Sequence, residues 1–284
     1  MSRKYALIGD KLGHTLSPPI HKRLFELRGR EFSYELLEID PAELDGKKAQ
    51  LRELSGYNVT IPHKPAIIAQ LDKLDESAKR YGAVNCVDNK GGASVGYNTD
   101  CDGFLRSVRA EGGRLDGSVL LLGAGGVGRM MAIEAALAGA ELYIAVLMSD
   151  FPLAQQAAKE IITMKPDADI TIVEIGSIDT SLHYDLLMNA TPVGMYPKTD
   201  ACAVSDDVIA CADAVFDVIY NPGETQLLQK AKALGKKCSG GMAMLVYQAV
   251  SAHEIWDGDS YDDKDIAQLI ADMEKLVEEK FNNA

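Results

Sequence analysis

The stretch "GSVLLLGAGGVGRMMAIEAALAGAELYIAVLMSD", residues 117 to 150, decides the fold class of this chain. An apolar strand pattern over residues 119–122 leads into Gly123, Gly125 and Gly128 in G-x-G-x-x-G register, and a helical pattern and a second strand, "LYIAVL", follow. The glycine triplet alone is a weak signal, because a tight strand–helix turn without a ligand gives the same pattern. The strand before it and the helix after it complete the context of a dinucleotide-binding βαβ unit. We therefore expect a Rossmann-type domain here.

The glycine turn has the backbone features of a phosphate site. Residues without a Cβ let the chain approach a pyrophosphate closely, and the first N–H groups of the following helix have no partner inside that helix. We expect the dinucleotide to contact Gly123, Gly125, Gly126, Val127 and Gly128. The predicted cofactor is NAD or NADP.

The end of the second strand bears on the choice between these two cofactors. A 2′-phosphate calls for arginine or lysine there, whereas a free ribose calls for an acidic hydrogen-bond acceptor. Residues 147 to 150 read Leu-Met-Ser-Asp and contain no basic side chain. Asp150 lies about 20 residues beyond the last glycine, as expected of a ribose ligand, and it fits equally well as the N-cap of the helix "FPLAQQAAKEI". The pattern favours NAD, with NADP as the alternative.

Strand and helix patterns alternate along nearly the whole chain, which predicts an α/β protein with largely parallel sheets. Before the glycine turn, "KYALIG" and "EFSYELLEI" are predicted strands, and "SPPIHKRLFELRG" is a predicted helix with Ser17 as its N-cap. After the turn, "DITIVEI", "DLLMNA" and "AVFDVIY" are predicted strands, and the C-terminal part is helical. The two blocks have predicted boundaries near residues 104 and 245.

Composition argues against several classes of function. The chain has 284 residues, a formal net charge of −13 and 47% hydrophobic residues. Nucleic-acid binding requires a basic surface, which an acidic chain does not offer. No apolar run approaches the roughly 20 residues that span a bilayer, and the N-terminus lacks the apolar core of a signal peptide. We expect a cytoplasmic protein that binds neither nucleic acid nor membranes.

Cysteines and histidines show no spacing typical of a metal site. The five cysteines never form C-x-x-C, and the five histidines show no H-E-x-x-H pattern. Such scattered cysteines fit a reducing compartment better than a disulfide framework. We predict no bound metal.

Lys64 and Asp100 are the candidates for proton transfer. The segment "YNVTIPHKPAII", residues 57 to 68, begins with the alternation of a half-buried strand, and Pro62 and Pro65 then bracket His63 and Lys64. Asp100 lies in "GYNTDCDGF", again after a predicted strand and before a predicted helix, where sites of α/β proteins gather. Taken alone, Lys64 also fits a solvated surface charge and Asp100 a helix N-cap.

Eight motifs occur in an order that resembles the shikimate dehydrogenase family. They are "GDKLGHTLSPPIH", "NVTIPHK", "GAVNCV", "GYNTD", "GAGGVGR", "NATPVGM", "DVIYNPGETQLL" and "GGMAMLVYQA", and the resemblance extends from about residue 6 to residue 256. The combination of "NVTIPHK" with "YNTD" and "MLVYQA" is far more specific than any single motif.

The resemblance implies a fold and a reaction. It implies two α/β domains, a substrate-binding catalytic domain of residues 1–104 plus 245–284 and a Rossmann domain of residues 105–244. The implied reaction is the reversible NAD(P)-dependent reduction of 3-dehydroshikimate to shikimate, on the pathway to chorismate and the aromatic amino acids. Quinate or an amino analogue is the alternative substrate, and a dinucleotide-binding regulator without catalysis is the alternative class.

The resemblance also assigns roles to individual residues. Lys64 and Asp100 become the catalytic pair, in which the lysine exchanges a proton with the reacting oxygen and the carboxylate fixes the ammonium and a substrate hydroxyl. The implied substrate contacts are Thr15, Ser17, Thr60, Asn85, Tyr220 and Gln248. Thr191 and Gly241 join the implied cofactor contacts.

Three departures from the family's pattern affect the finer assignment. The family's H-S-x-S-P loop has Thr15 here in place of its first serine. The threonine keeps the hydroxyl but adds a methyl group, which could shift the substrate fit toward a related ring such as quinate. Cys101 stands where glycine is usual, and the arginine of NADP-dependent members is missing from "AVLMSD".

The histidines of these motifs, His14, His21 and His63, are expected to pack rather than to act in catalysis. The expected partner is a small molecule, and a homodimer is left open.

Overall fold

The computed structural model describes residues 3–13, 15–110 and 112–281. The chain forms two structural units. Unit 1 consists of Met1–Gly103 and Val246–Met273, and unit 2 consists of Phe104–Leu245 and Glu274–Ala284. The last helix thus contributes to both units, whereas the sequence assigned all of it to the catalytic domain. The domain boundaries expected from the sequence, near residues 104 and 245, stay a prediction.

The helices and strands are numbered in chain order. The first are β1 (Arg3–Gly9), α1 (Ser17–Leu27), β2 (Phe32–Glu38), α2 (Lys48–Arg52), β3 (Gly56–Val59), β4 (Lys73–Leu74), α3 (Glu76–Tyr81), β5 (Cys86–Asp88), β6 (Val95–Tyr97) and α4 (Thr99–Ala110). The remainder are β7 (Ser118–Leu122), α5 (Gly126–Ala138), β8 (Glu141–Val146), α6 (Phe151–Met164), β9 (Asp169–Glu174), β10 (Tyr184–Asn189), α7 (Asp206–Ala210), β11 (Ala212–Asp217), α8 (Gln226–Ala233), β12 (Lys237–Ser239), α9 (Gly241–Asp257) and α10 (Asp263–Phe281). Short 3₁₀ helices cover Leu44–Lys47, Ala66–Gln70, Lys90–Gly92, Met148–Asp150 and Ile175–Ser177.

Unit 1 contains a six-stranded sheet in the order β2-β1-β3-β5-β6-β4. Strand β1 pairs in parallel with β2 and β3, whereas β5 runs antiparallel to β3 and β6. The carboxyl ends of β1, β3 and β6 and the amino end of β5 therefore lie at the same edge of the sheet. Loops from four strands can meet at that edge, although they are far apart in the sequence.

The prediction of a half-buried strand over residues 57–61 is wrong in two respects. Strand β3 ends at Val59, and all four of its residues are buried, including Asn58. Because β3 is an inner strand, covered on both faces, its side chains do not alternate between core and solvent. Thr60 and Ile61 lie beyond the strand, and Ile61 is 76% exposed.

Two further local predictions around the prolines need correction. The segment "HKPAIIAQLDKL", residues 63 to 74, has a helical pattern, but it forms only a 3₁₀ turn over Ala66–Gln70 followed by the short strand β4. Ser17 is the first residue of α1, whose N-cap is Leu16, and no side chain caps that helix. Proline in the first turn leaves one fewer N–H to satisfy there, so the serine is not needed as a cap.

Unit 2 contains a six-stranded sheet in the order β12-β11-β10-β7-β8-β9. Every pairing in it is parallel. The first strand of the unit, β7, is central, and the strand order reverses between β7 and β10, as in dinucleotide-binding Rossmann folds. The predicted α/β class with a Rossmann-type unit is confirmed. The core of unit 2 includes the buried aliphatic residues Leu120, Leu122, Leu187 and Val215.

No helix among the described residues is both long and apolar enough to cross a membrane.

A buried pair of histidines ties α1 to α9 in unit 1. His21 Nδ1 lies 3.0 Å from His253 Nε2, and His253 Nδ1 lies 2.9 Å from the Tyr261 hydroxyl oxygen. The tyrosine donates its only proton to the Leu24 carbonyl oxygen at 3.2 Å, so His253 Nδ1 must be a donor. His253 Nε2 is then the acceptor from His21, and both rings are neutral.

Acid should destabilise the fold through these two rings. Burial, and next the charge of Arg30, lowers the pKa of His253 from 6.5 to about 3, and burial with the neighbouring His253 also lowers that of His21. Below pH 6.5 the unfolded chain therefore binds protons that the folded chain does not bind until pH has fallen towards 3, so stability is lost as pH drops through this window. We expect His253→Gln to reduce the pH dependence of the unfolding free energy by about 1.4 kcal/mol per pH unit between pH 6 and 4. Urea unfolding at a series of pH values measures it.

Tyr261→Phe is the matched control for this prediction. It removes both hydrogen bonds of the Tyr261 hydroxyl but keeps both buried rings. We expect it to lower the unfolding free energy by a similar amount at every pH. If His253→Gln left the slope unchanged, the histidine would not be the source of acid sensitivity.

Candidate active site

Lys64 is held in place by the backbone on both sides of it. The His63 N–H donates to the Thr60 carbonyl oxygen at 2.9 Å, and the Lys64 carbonyl oxygen accepts from the Val84 N–H at 2.8 Å. His63 is buried, and its Nε2 lies 2.8 Å from the Ile39 carbonyl oxygen. These contacts match the packing role expected of His63. They leave the lysine side chain beside it as the group directed to the edge of the sheet.

Lys64 and Asp100 form a close ion pair. The distance from Lys64 Nζ to Asp100 Oδ2 is 2.6 Å, and the two side chains are 25% and 20% exposed. Asp100 is the second residue of α4, where a negative charge is favoured by the N–H groups of the first turn. It is therefore inside the helix, and the alternative of Asp100 as its N-cap is wrong. The pair remains accessible to a small molecule.

Asn85 holds the other oxygen of the Asp100 carboxylate. Its Nδ2 donates to Asp100 Oδ1 at 2.9 Å, and its Oδ1 accepts from the Thr99 backbone N–H at 2.7 Å. Because a backbone N–H can only donate, this second contact fixes the orientation of the amide. Both carboxylate oxygens of Asp100 thus face a donor, which fixes the orientation of the carboxylate.

Gln248 on α9 completes this group. Its Oε1 lies 3.4 Å from Asn85 Nδ2 and 3.5 Å from the Thr99 hydroxyl oxygen. Gln248 and Asn85 are both largely buried, which favours a fixed position over free rotation. Unit 1 therefore brings together four of the predicted residues, Lys64, Asn85, Asp100 and Gln248. Thr99, which sequence reasoning did not single out, orients two of them, and its signal was its place in "YNTD".

Thr15, Ser17 and Thr60 lie in the segments that follow β1 and β3. The Thr15 hydroxyl donates to Ser17 Oγ at 3.1 Å and accepts from the Ser17 N–H at 3.2 Å. The Thr60 N–H donates to the Ile8 carbonyl oxygen at 2.9 Å. As β1 and β3 are parallel neighbours, the three residues belong to the edge of the sheet that carries Lys64. His14, which stands beside Thr15, lies outside the described residues.

The glycine turn of unit 2 fits the backbone of a dinucleotide site. Gly123 has φ +93°, a conformation that other residues rarely adopt. A Cβ at Gly128 would collide with the Gly123 carbonyl oxygen, so this glycine allows the helix to pack on the strand. A Cβ at Gly125 or Gly126 would meet nothing within 4 Å, which leaves open space at the start of α5. An anion can approach the free N–H groups there.

The end of β8 carries the residues that bear on the ribose. Asp150 occupies the N-cap position of α6, but its carboxylate makes no capping hydrogen bond. It accepts a hydrogen bond from the Ser149 hydroxyl at 3.2 Å. Leu147 and Met148 are 58% and 64% exposed. The position is that of a cap, while the carboxylate is left for an external donor; its role toward a ribose stays a prediction.

The remaining predicted residues of unit 2, Thr191, Tyr220 and Gly241, lie after β10, β11 and β12 respectively. The Thr191 N–H and hydroxyl both donate to Asn189 Oδ1, at 3.0 and 2.7 Å. The Gly241 N–H donates to the Ile219 carbonyl oxygen at 3.2 Å, and a Cβ at Gly241 would collide with the Val218 carbonyl oxygen. Burial raises the pKa of the Tyr220 hydroxyl. Their contacts with substrate or cofactor stay predictions.

A group on the surface of unit 2 bears on the prediction that no metal is bound. His183, Asp185 and Asp213 bring one ligand atom each to within 4.8 Å of one another. Two of the three are exposed, and one Asp185 oxygen already accepts from the Ser118 N–H at 2.8 Å. The grouping neither establishes a metal site nor tests the prediction.

Comparison with known proteins places these features in context. A model of the shikimate dehydrogenase substrate binding domain matches residues 7–87. Shikimate dehydrogenase (NADP(+)) of Geobacillus kaustophilus strain HTA426 is 36% identical over 275 residues, which cover 95% of this chain and 98% of that protein. The sequence similarity therefore extends through both units.

Two solved structures share the fold over almost the whole chain. Shikimate 5-dehydrogenase from Listeria monocytogenes, in complex with shikimate and NAD, is 30% identical with a TM-score of 0.86, covering 95% of this chain and 96% of that one. Quinate dehydrogenase from Corynebacterium glutamicum, in complex with NAD, is also 30% identical, with a TM-score of 0.84 and coverage of 96% and 98%. Proteins of this fold thus include one named for shikimate and one named for quinate.

Proposed function

This chain belongs to the shikimate dehydrogenase family, and from that premise we propose that it catalyses the reversible NAD(P)-dependent reduction of 3-dehydroshikimate to shikimate. The observation that carries the proposal is the Lys64–Asp100 pair, whose carboxylate is also held by Asn85. A protein that only sensed a dinucleotide would need the glycine turn but no such pair at the edge of the other sheet.

The geometry supports a division of work between the two charged residues. A bound nicotinamide cofactor supplies the hydride. An ammonium has three N–H donors, of which Asp100 engages one, so Lys64 retains donors for the substrate oxygen. Lys64 donates a proton to that oxygen as the carbonyl becomes a hydroxyl, and it accepts the proton in the reverse direction. Asp100 fixes the ammonium and is the natural acceptor for a neighbouring substrate hydroxyl.

The remaining polar residues of unit 1 suit a polyhydroxylated ring with a carboxylate. We assign the ring hydroxyls to Thr60, Asn85 and Gln248, and the carboxylate to the hydroxyls of Thr15 and Ser17. In the structure the Thr15 hydroxyl donates to Ser17 Oγ, so an anion can accept from Thr15 only when that proton turns away from Ser17. The methyl group of Thr15 is the feature that keeps quinate, or an amino analogue, as the alternative substrate.

A steady-state matrix tests the function. Shikimate, quinate and an amino analogue are each oxidised with NAD and with NADP, and we expect the highest kcat/KM for shikimate. A higher value for quinate would reassign the substrate within the same reaction class. Cofactor binding without turnover of any of these substrates would instead support a dinucleotide-binding regulator.

For the cofactor we propose a preference for NAD over NADP. Two observations support it. Residues 147–150 contain no basic side chain, and the Asp150 carboxylate makes no capping hydrogen bond to α6. A 2′-phosphate would bring negative charge towards this carboxylate without a cation to offset it. The Geobacillus relative is named for NADP(+), so the preference would set this chain apart from it. A homodimer also stays a proposal.

Introducing a cation at the end of β8 should shift the cofactor preference. Leu147→Arg and Ser149→Arg each place a guanidinium where a 2′-phosphate would lie. We expect the ratio of kcat/KM for NADP to that for NAD to rise by about tenfold, the effect of one charged hydrogen bond. Leu153→Arg, on the exposed side of the following helix, is the control for added charge. An unchanged ratio in both variants would undercut the cofactor proposal.

A further inference from the structure

A buried carboxylate stands at the carboxyl end of β11. Asp217, the last residue of that strand, is fully buried and accepts three hydrogen bonds. They come from Asn189 Nδ2 at 3.0 Å, from the Ile219 N–H at 3.1 Å and from the Thr225 hydroxyl at 2.7 Å. Neither the glycine turn nor the Lys64–Asp100 pair accounts for an acid at this place.

The hydrogen bonds favour the ionised form of Asp217. Asn189 Oδ1 accepts from the Thr191 N–H, which fixes the Asn189 amide so that its NH₂ group faces Asp217. Oδ1 of Asp217 therefore faces two obligatory donors and cannot carry a proton. The other oxygen faces only the Thr225 hydroxyl, which also accepts from the Leu228 N–H. Burial raises the pKa of the Asp217 carboxyl, and the three hydrogen bonds oppose that rise.

No cation neutralises this charge within the described part of the chain. The side chains and backbone groups that contact the carboxylate are neutral donors, and no lysine, arginine or histidine of the described ranges forms an ion pair with it. A buried and unpaired charge costs free energy unless something offsets it, and its field is little screened by salt. Such a charge affects any ionic group that binds nearby.

The strand order places Asp217 on the nicotinamide side of a bound dinucleotide. In a Rossmann sheet the dinucleotide lies across the carboxyl ends of the strands, with one nucleotide on each side of the point where the strand order reverses. That point lies between β7 and β10. Asp150, the proposed ligand of the adenosine ribose, follows β8. The nicotinamide half of the dinucleotide is therefore expected at the carboxyl ends of β10 and β11, on the other side of this point. Asn189 and Asp217 are the last residues of these two strands.

We propose that the Asp217 carboxylate makes the nicotinamide half of this site favour the oxidised cofactor over the reduced one. The oxidised nicotinamide ring is a cation and the reduced ring is neutral, so a fixed negative charge attracts only the former. The same carboxylate positions Thr191, through Asn189, and the chain leading to Tyr220, through Ile219. The inference rests on the proposed dinucleotide function and adds to it a residue that sets the preference between the two redox states.

Direct binding measurements on Asp217→Asn test the proposal. The change removes the charge and nearly preserves the shape, and the new amide oxygen can still accept from Asn189 and Ile219. We expect the Kd of the oxidised cofactor to rise by about three- to tenfold, because the attraction between the carboxylate and the cationic ring is lost. The Kd of the reduced cofactor should stay within about twofold. ADP-ribose, which lacks the nicotinamide ring, should bind as to the wild type.

Thr225→Val is the matched control variant. It removes one hydrogen bond from the same carboxylate but keeps its charge. We expect the ratio of the two Kd values to stay at the wild-type value, even if the protein is less stable. Equal changes of both Kd values in Asp217→Asn, or a shift of the ratio in Thr225→Val as large as in Asp217→Asn, would overturn the electrostatic role.

Two further outcomes are a variant that does not fold and a wild type that does not bind the cofactors. If Asp217→Asn does not fold, binding of oxidised and reduced nicotinamide mononucleotide to the wild type decides: the oxidised form should bind about threefold tighter or more, and equal or tighter binding of the reduced form overturns the proposal. If the wild type binds neither the cofactors nor ADP-ribose, the proposed function fails and this inference fails with it. A wild type that binds them while the ratio is insensitive to Asp217 refutes the inference alone.

Discussion

Lys64→Ala should lower kcat for shikimate oxidation by about 10²- to 10⁴-fold, the range expected when a positioned acid–base group is removed. The structure gives the physical reason, because Lys64 carries the one ammonium that contacts the Asp100 carboxylate among the described residues. The Kd of the dinucleotide should remain within about twofold of the wild type, since the glycine turn belongs to the other structural unit. Stopped-flow turnover and cofactor titration measure the two quantities separately.

Lys79→Ala is the matched control. Lys79 also lies in unit 1 and also forms an ion pair of 2.6 Å, with Glu76. It lies on the surface of α3, where losing one lysine should leave kcat and KM unchanged. Near wild-type turnover in Lys64→Ala would remove the lysine from proton transfer, and an equal loss in Lys79→Ala would show that the effect is not specific to the pair.

The second large effect should come from the glycine turn, where Gly128→Ala is expected to lower both stability and dinucleotide affinity and Gly125→Ala is expected to lower affinity alone. Gly128→Ala places a methyl group against the Gly123 carbonyl oxygen, so the strand and helix must move apart. Overpacking of this kind costs about 1–3 kcal/mol of stability, and the displaced turn should also lose at least tenfold in dinucleotide affinity. Thermal unfolding and cofactor titration of the same sample measure both losses.

Gly125→Ala separates binding from folding. A Cβ at Gly125 meets nothing within 4 Å, and its φ of −65° suits any residue. The unfolding midpoint should therefore stay close to that of the wild type, while the new methyl group stands where the pyrophosphate must approach and weakens its binding by about tenfold or more. If Gly125→Ala bound the dinucleotide normally, the turn would not be the phosphate site.

The sequence was a good guide wherever a signal is local. Gly123, Gly125 and Gly128 predicted a strand, a turn and a helix, because backbone conformation and close approach depend on residues a few positions apart. The motif order led to the family and to Lys64 and Asp100, which the structure brings to 2.6 Å. The extent of β3 was misjudged, since a period-two pattern does not tell whether one face of a strand is covered or both.

Contacts between distant segments were beyond the reach of the sequence. Thr99 orients Asn85 and contacts Gln248, which lies 149 positions further along the chain. Asp217 was simply the polar end of a predicted strand until Asn189, Ile219 and Thr225 were seen around it.

By itself, then, the sequence determined the α/β class, the glycine turn and the family, and it singled out Lys64 and Asp100 as the candidates for proton transfer. Only the tertiary structure decided that Asn85 holds the second oxygen of Asp100, that the Asp150 carboxylate makes no cap, and that the Asp217 carboxyl is buried among neutral donors. The physical reason is that propensity and spacing act over a few residues. Hydrogen-bond partners, burial and local charge are set by the order of strands in each sheet, which brings together segments that no local pattern connects.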